Sequence, residues 1–267
     1  MKNIESAKLK IIDCHGHIFP EEIAPKVICS LEDYYKMPWQ CKGTVSDILD
    51  RMDEGNIYKS IVFSTSTKPS QVETINNYMA GIDSDRFICF GSVHPKYENY
   101  KDEIDRIISL GLKGIKFHPD FQNFKIDDSH MLKIYEYIGS KLPIMIHTGD
   151  ENSDFSSPKR LARVLDALPD VTFIAAHLGG YMNWQDSMKY LVGRNLYLDT
   201  SSTLCKLSHF DAAQIIKAHG TDKVLFGTDY PAVTQKSEVE SFMKIPISDA
   251  DKVKILSENA MNLFGID

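Results

Sequence analysis

No stretch of this 267-residue chain approaches the length of a membrane-spanning apolar run. Basic runs are absent as well, and the net charge is -7. Both features argue against nucleic acid or an anionic membrane as partner. From Met1 to Lys10 charged and small residues alternate without an apolar core. No signal peptide is therefore expected, and the expected location is cytoplasmic. The cysteines are Cys14, Cys29, Cys41, Cys89 and Cys205, an odd number at scattered spacing with no C-x-x-C. That excludes a disulfide frame and a thiolate zinc site, and suits reduced thiols. Low-complexity segments are missing, and so is the G-x-G-x-x-G turn of a dinucleotide-binding open sheet.

What is present is an alternation. The chain is 43% apolar and 25% charged, enough apolar material for one large core. Eight short apolar runs read as strands: 11–17, 60–64, 87–94, 112–118, 143–147, 171–177, 195–200 and 224–229. Helix-like or polar segments separate them. Thr44 with Asp47, Ser157 with Pro158, and Ser248 with Asp251 mark helix starts. A helix is also expected over 129–138, and Gly111 closes another that carries Ile104, Ile107 and Ile108 on its apolar face. The spacing of roughly 30 residues is that of one βα unit. Only the first unit is longer. Residues 18–43 form a polar, aromatic insertion that could cover a site, with Trp39 as a candidate wall. The expectation is an α/β protein whose residues 1–267 form one domain: a single (β/α)8 TIM barrel with an insertion after strand one.

The apolar runs end in polar side chains of particular types. Ile11-Ile12-Asp13-Cys14-His15-Gly16-His17 ends the first in His-x-His. A strand repeats every two residues, so Asp13, His15 and His17 share one face. Two imidazoles one pleat apart can chelate one divalent ion. Strand four ends in Lys116 and His118, strand five in His147, strand six in His177 and strand eight in Asp229. In a barrel all of these reach the same catalytic rim. Unpaired polar groups after buried residues are costly, so the recurrence points to a site.

In this order the residues resemble the amidohydrolase superfamily. The surrounding words DCHGH, GIKFHP, IHTGD, AAHLGG, FGTDYP and SENAMNLFG resemble its amidohydrolase-related branch. That branch holds metal-dependent hydrolases and decarboxylases similar to aminocarboxymuconate-semialdehyde decarboxylase. The resemblance runs from Ile11 to Gly265 and is specific for the superfamily rather than for a substrate. It implies that His15, His17, His147 and Asp229 bind one Zn²⁺, which brings the pKa of a water toward neutrality. It implies that Asp229 also moves the proton and that His177 orients the water or polarises the substrate. Lys116 is either a carboxylated bridge to a second ion, held by His147 and His177, or an amine facing a carboxylate. Asp13 is expected to support the metal histidines. His118 and His94, each followed by proline, face the substrate or steady their turns. His130, His209 and His219 are expected at the surface.

The expected activity is hydrolysis of an amide, lactone or ester-like bond in a small molecule. The alternative is non-oxidative decarboxylation of a small unsaturated or aromatic acid, and a barrel that binds metal without catalysis stands behind both. Decarboxylation needs a cation for the substrate carboxylate, commonly arginine. None of the six arginines (Arg51, Arg86, Arg106, Arg160, Arg163, Arg194) ends an apolar run; only Arg160 and Lys68 follow strands closely enough to approach the rim. Relatives of this kind are often homo-oligomers.

Overall fold

Apolar runs become strands and amphipathic stretches become helices in the computed structural model, which describes residues 9–266. Residues 1–8, most of the charged stretch at the start, lie outside the described residues. In chain order the elements are β1 (Ile11–His17), α1 (Ala24–Tyr35), α2 (Val45–Glu54), β2 (Ile57–Phe63), α3 (Val72–Ala80), β3 (Phe87–Cys89), β4 (Gly91–Ser92), α4 (Tyr100–Ser109), β5 (Ile115–Phe117), α5 (Pro119–Gln122), α6 (Ser129–Ile138) and β6 (Ile144–Ile146). There follow α7 (Pro158–Ala167), β7 (Phe173–Ala175), α8 (Trp184–Tyr190), β8 (Tyr197–Asp199), α9 (His209–His219), β9 (Val224–Leu225), α10 (Gln235–Phe242), α11 (Asp249–Val253) and α12 (Asn259–Phe264). Among the described residues no helix is long and apolar enough to cross a membrane.

The described residues fall into two compact units, one of residues 9–62, 85–87 and 200–266, the other of 63–84 and 88–199. In the second unit β4 to β8 pair in parallel, with Gly91 opposite Ile115, Ile115 opposite Ile144, Ile144 opposite Phe173 and Ile174 opposite Tyr197. Ile115, Phe117, Ile144, Ile146, Phe173 and Leu198 are buried, as expected for a parallel sheet covered on both faces. Tyr135 of α6 meets Phe117 and Phe173 edge to face, with ring centres 5.7 and 5.4 Å away. Met131, Ile134, Tyr135 and Ile138 give α6 its buried stripe. The run 87–94 is broken at Phe90, whose buried ring lies 6.3 Å from that of Phe63.

In the first unit β1 runs beside the segment 224–230. Cys14 N–H donates to Phe226 O (2.8 Å), Asp229 N–H to His15 O (2.9 Å) and His17 N–H to Tyr230 O (2.6 Å). The Thr44 hydroxyl accepts from Asp47 N–H and opens α2, whose Ile48 and Met52 are buried. Ser248 likewise accepts from Asp251 N–H and opens α11. Ser157 precedes α7 without a side-chain cap bond, so Pro158 and its fixed φ begin that helix. Ile108 is 38% exposed, which leaves Ile104 and Ile107 as the buried face of α4. Between α11 and α12 the helix widens over Lys254–Glu258 into one π turn, and the Ile255 carbonyl there accepts from Phe226 N–H (3.0 Å).

The insertion holds an unexpected helix. Within α1 Ala24 is buried and Val27, Ile28, Leu31, Tyr34 and Tyr35 are half-buried, a stripe at helical spacing that the prolines and polar residues around it masked in a reading of the segment as a loop. Its flanks are tied by main-chain bonds, Phe19 N–H to Gly43 O (2.8 Å), Gln40 N–H to Ala232 O (3.3 Å) and Cys41 N–H to Pro231 O (3.1 Å).

Candidate metal centre

The β1 pairing described above delivers Asp229 beside the two histidines. Its φ is +65°, a left-handed conformation that aspartate tolerates better than most residues. One carboxylate oxygen, Oδ1, lies 3.3 Å from the Nε2 atoms of both His15 and His17. The other, Oδ2, accepts from the Ser202 hydroxyl. His15 is fully buried and its Nδ1 pairs with the Ser201 hydroxyl (3.0 Å), so its Nε2 is the atom turned to Asp229. His15, His17 and Asp229 each place a ligand-type atom within 4.8 Å of the others. Two imidazole nitrogens and a carboxylate oxygen are a donor set for zinc, manganese or iron, so these residues fit a divalent ion.

Behind this group lies a buried carboxylate. Asp13 has no solvent exposure. Its Oδ1 accepts from the main-chain N–H groups of His15 (3.2 Å) and Thr228 (3.0 Å). Its Oδ2 accepts from the Thr228 hydroxyl (2.8 Å) and from Gln235 Nε2 (2.7 Å). Burial pushes the carboxyl up to about 6, against the pull of these hydrogen bonds. Asp13 thus bonds the backbone that carries the ligands, and the His15 ring itself rests on Ser201. Glu238 is 5% exposed, and burial, followed by the charges of Asp13 and Asp229, pushes it up to about 8. Gln235 and Glu238 escaped sequence reasoning. The available signal was their spacing with Phe242 at i, i+3 and i+7 on the buried face of α10.

The second unit holds the remaining expected residues. His147 is buried, and its Nδ1 lies 3.0 Å from His177 Nε2. His177 has φ +61° and is anchored by its own N–H on Asp199 Oδ1 (3.1 Å) and by its carbonyl, which accepts from the Trp184 indole (2.9 Å). The ring of Tyr181 adds a wall, 5.6 Å from His177 and 6.3 Å from His147. Gly149, at φ +90°, allows that approach: a Cβ there would sit 2.4 Å from Tyr181 N. Lys116 is fully buried, its Nζ 4.6 Å from the centre of the Phe63 ring.

His118 serves its turn. Its Nδ1 accepts from Phe121 N–H and caps α5, while its ring lies flat between Phe121 and His147, 4.0 Å from each. With Asp120 and His147 it forms a second group of metal-type atoms. His94 Nδ1 accepts from Lys96 N–H (3.1 Å), and burial holds that imidazole below its usual range. His130 is exposed and bonded to Pro95 O (2.7 Å), and His209 is half-buried beside Ser241. His219, expected at the surface, is buried: α9 turns its last residue inward with Ile215 and Ile216. Lys68 is exposed.

The family model described as Amidohydrolase (Amidohydro_2) matches residues 12–266. Among solved structures, an uncharacterised TIM-barrel protein of Bordetella bronchiseptica is 22% identical, with a TM-score of 0.79 over 97% of this chain and 99% of that one. A dihydroxybenzoic acid decarboxylase of a Polaromonas species, with manganese and 2-nitroresorcinol bound, is 18% identical, with a TM-score of 0.72 over 97% of each chain. A probable 2-pyrone-4,6-dicarboxylic acid hydrolase of Acinetobacter baumannii, with citric acid bound, is 19% identical, with a TM-score of 0.68 over 96% of this chain and all of that one. Decarboxylases of aromatic acids recur among the other matches. The fold is that of these proteins, a (β/α)8 barrel.

Proposed function

This chain belongs to the amidohydrolase family, and on that premise we propose that it is a metal-dependent hydrolase acting on an amide, lactone or ester-like bond of a small molecule. The proposed ligands are His15, His17, His147 and Asp229, with Zn²⁺ as the expected ion and Mn²⁺ as the competitor. An ion there supplies a positive centre that acidifies water and polarises a carbonyl. Asp229 takes the proton from the water and returns it to the leaving group. Ser202 holds one of its oxygens and so fixes which oxygen faces the histidines. His177 orients the water or polarises the substrate, and its Nε2, 3.0 Å from His147 Nδ1, also steadies the ring of that ligand.

The observation that carries hydrolysis over decarboxylation is the state of the arginines. Arg51 pairs with Glu54, Arg86 with Asp53, Arg106 with Glu103 and Arg194 with Asp166. Arg160, the candidate nearest the rim by sequence, pairs with both Asp127 and Asp154, and Arg163 pairs with Asp127. Each guanidinium that could clamp a substrate carboxylate is already engaged by an acid of this chain. Decarboxylation is the second reading. It is favoured by the buried side chain of Lys116 and by the chemistry of the decarboxylases the chain resembles.

The experiment counts metal per chain in protein purified without chelator, then offers two substrate panels. Lactones, amides and esters are followed by proton release, and aromatic and unsaturated acids by CO2 release. One ion per chain with turnover in the first panel only is the expected result. CO2 release alone makes the protein a lyase. Two ions per chain give Lys116 the bridging role, and no uptake of Zn²⁺ or Mn²⁺ removes the proposal.

A further inference from the structure

Asp13 receives four hydrogen bonds, and three come from the two chain segments that carry the proposed ligands: His15 N–H, Thr228 N–H and the Thr228 hydroxyl. The fourth comes from Gln235 Nε2 on α10 at 2.7 Å. The same nitrogen lies 2.9 Å from the Ser60 hydroxyl of β2. A primary amide nitrogen carries two hydrogens, and both are used here. We infer that Gln235 is a positioning residue for the metal ligands, acting through Asp13.

The argument begins with Asp13. A fully buried carboxylate is held only by its donors, because no water replaces a lost one. Without Gln235 the Oδ2 oxygen keeps the Thr228 hydroxyl alone. The carboxylate is then free to turn, and turning loosens its grip on His15 N–H and Thr228 N–H. Those two groups stand at the ligand His15 itself and one residue before the ligand Asp229. Tyr230 N–H continues the chain of bonds by donating to the Thr228 hydroxyl (3.1 Å), and Tyr230 O accepts from His17 N–H. One side-chain bond therefore governs the register that brings His15, His17 and Asp229 together.

A packing role does not account for a glutamine at this position. The Gln235 side chain is fully buried, and its Oε1 has no hydrogen-bond partner. An apolar side chain of the same length would fill the space without desolvating that oxygen. The amide is retained for its two N–H donors.

The inference rests on the proposed metal site, and the test separates the two. Full-length wild type and Gln235→Met are stripped with chelator and titrated with Zn²⁺ against a competing chromophoric chelator at pH 8, well below the melting temperature of each. Loss of a hydrogen bond just behind the ligands is expected to weaken Zn²⁺ binding about 10- to 100-fold. A lower melting temperature of the metal-free variant with an unchanged Zn²⁺ dissociation constant overturns the inference and leaves the metal site standing. If wild type itself shows no saturable binding, the metal reading fails and the inference with it. If Gln235→Met does not fold, Gln235→Glu takes its place: equal length, no amide donors, and the same outcome required.

Discussion

Glu238 is a carboxylic acid in a place that penalises its ionised form. It is 5% exposed, and the nearest charges acting on it are those of Asp13 and Asp229. Its pKa is pushed up to about 8, against an ordinary value of 4.5. Between those two values the folded chain keeps a proton that the unfolded chain gives up, so stability falls as pH rises through the window. The fall levels off above pH 8. Asp13, pushed up to about 6, adds a change of the same sign lower in the range. Urea unfolding of metal-free protein should show a loss of about 2 kcal/mol from pH 6 to pH 8, and Glu238→Gln should remove most of it. Stability that climbs over this interval in the wild type would mean Glu238 is ionised in the fold. At this scale the sequence was legible where chemistry is local. His15 and His17 share a strand face, and Asp229 ends a strand-like run. The partners of Asp13 were not legible, because Thr228 and Gln235 lie more than 200 residues away along the chain.

The elements were legible where caps and stripes coincide. Residues 129–138 form a helix with the expected bounds, and Thr44 and Ser248 cap helices as their spacing indicates. Ser248→Ala removes the bond from Asp251 N–H at an exposed position and should cost about 1 kcal/mol, read as a melting-temperature drop of about 2–4 °C. An unchanged melting curve would show that solvent replaces this cap. In the second unit the strands are shorter than the apolar runs that produce them, whereas β1 keeps its expected bounds and β2 starts at Ile57, three residues before the expected run. Besides α1, two helices were missed for identifiable reasons. α5 is a single turn opened by His118 and Pro119, too short for any periodicity. α10 buries two polar residues, which hides its inner face from a reading that follows apolar side chains.

For the whole molecule, the alternation of strands and helices was sufficient to indicate the barrel, because a repeated βα unit is a property of spacing. Specificity for one substrate is not, since it depends on loops whose conformation no period encodes. A ligand that binds only the folded chain stabilises it by mass action. Zn²⁺ at a hundredfold excess over its dissociation constant should therefore add about 3 kcal/mol, and chelator should lower the melting temperature in a manner that depends on metal concentration. A melting curve indifferent to chelator and to added Zn²⁺ would oppose a folded-state ion. Helix α1 behaves by a different rule. Three turns of chain fully bury only the small side chain of Ala24 and half-bury a stripe from Val27 to Tyr35, so its ordered and frayed populations should lie closer in free energy than those of a helix with a fully buried face. Its amides should exchange with solvent long before those of α6, and a molecule that lends it one buried ring shifts the balance. A helix held by a half-buried stripe is thus one whose population can answer to what binds beside it.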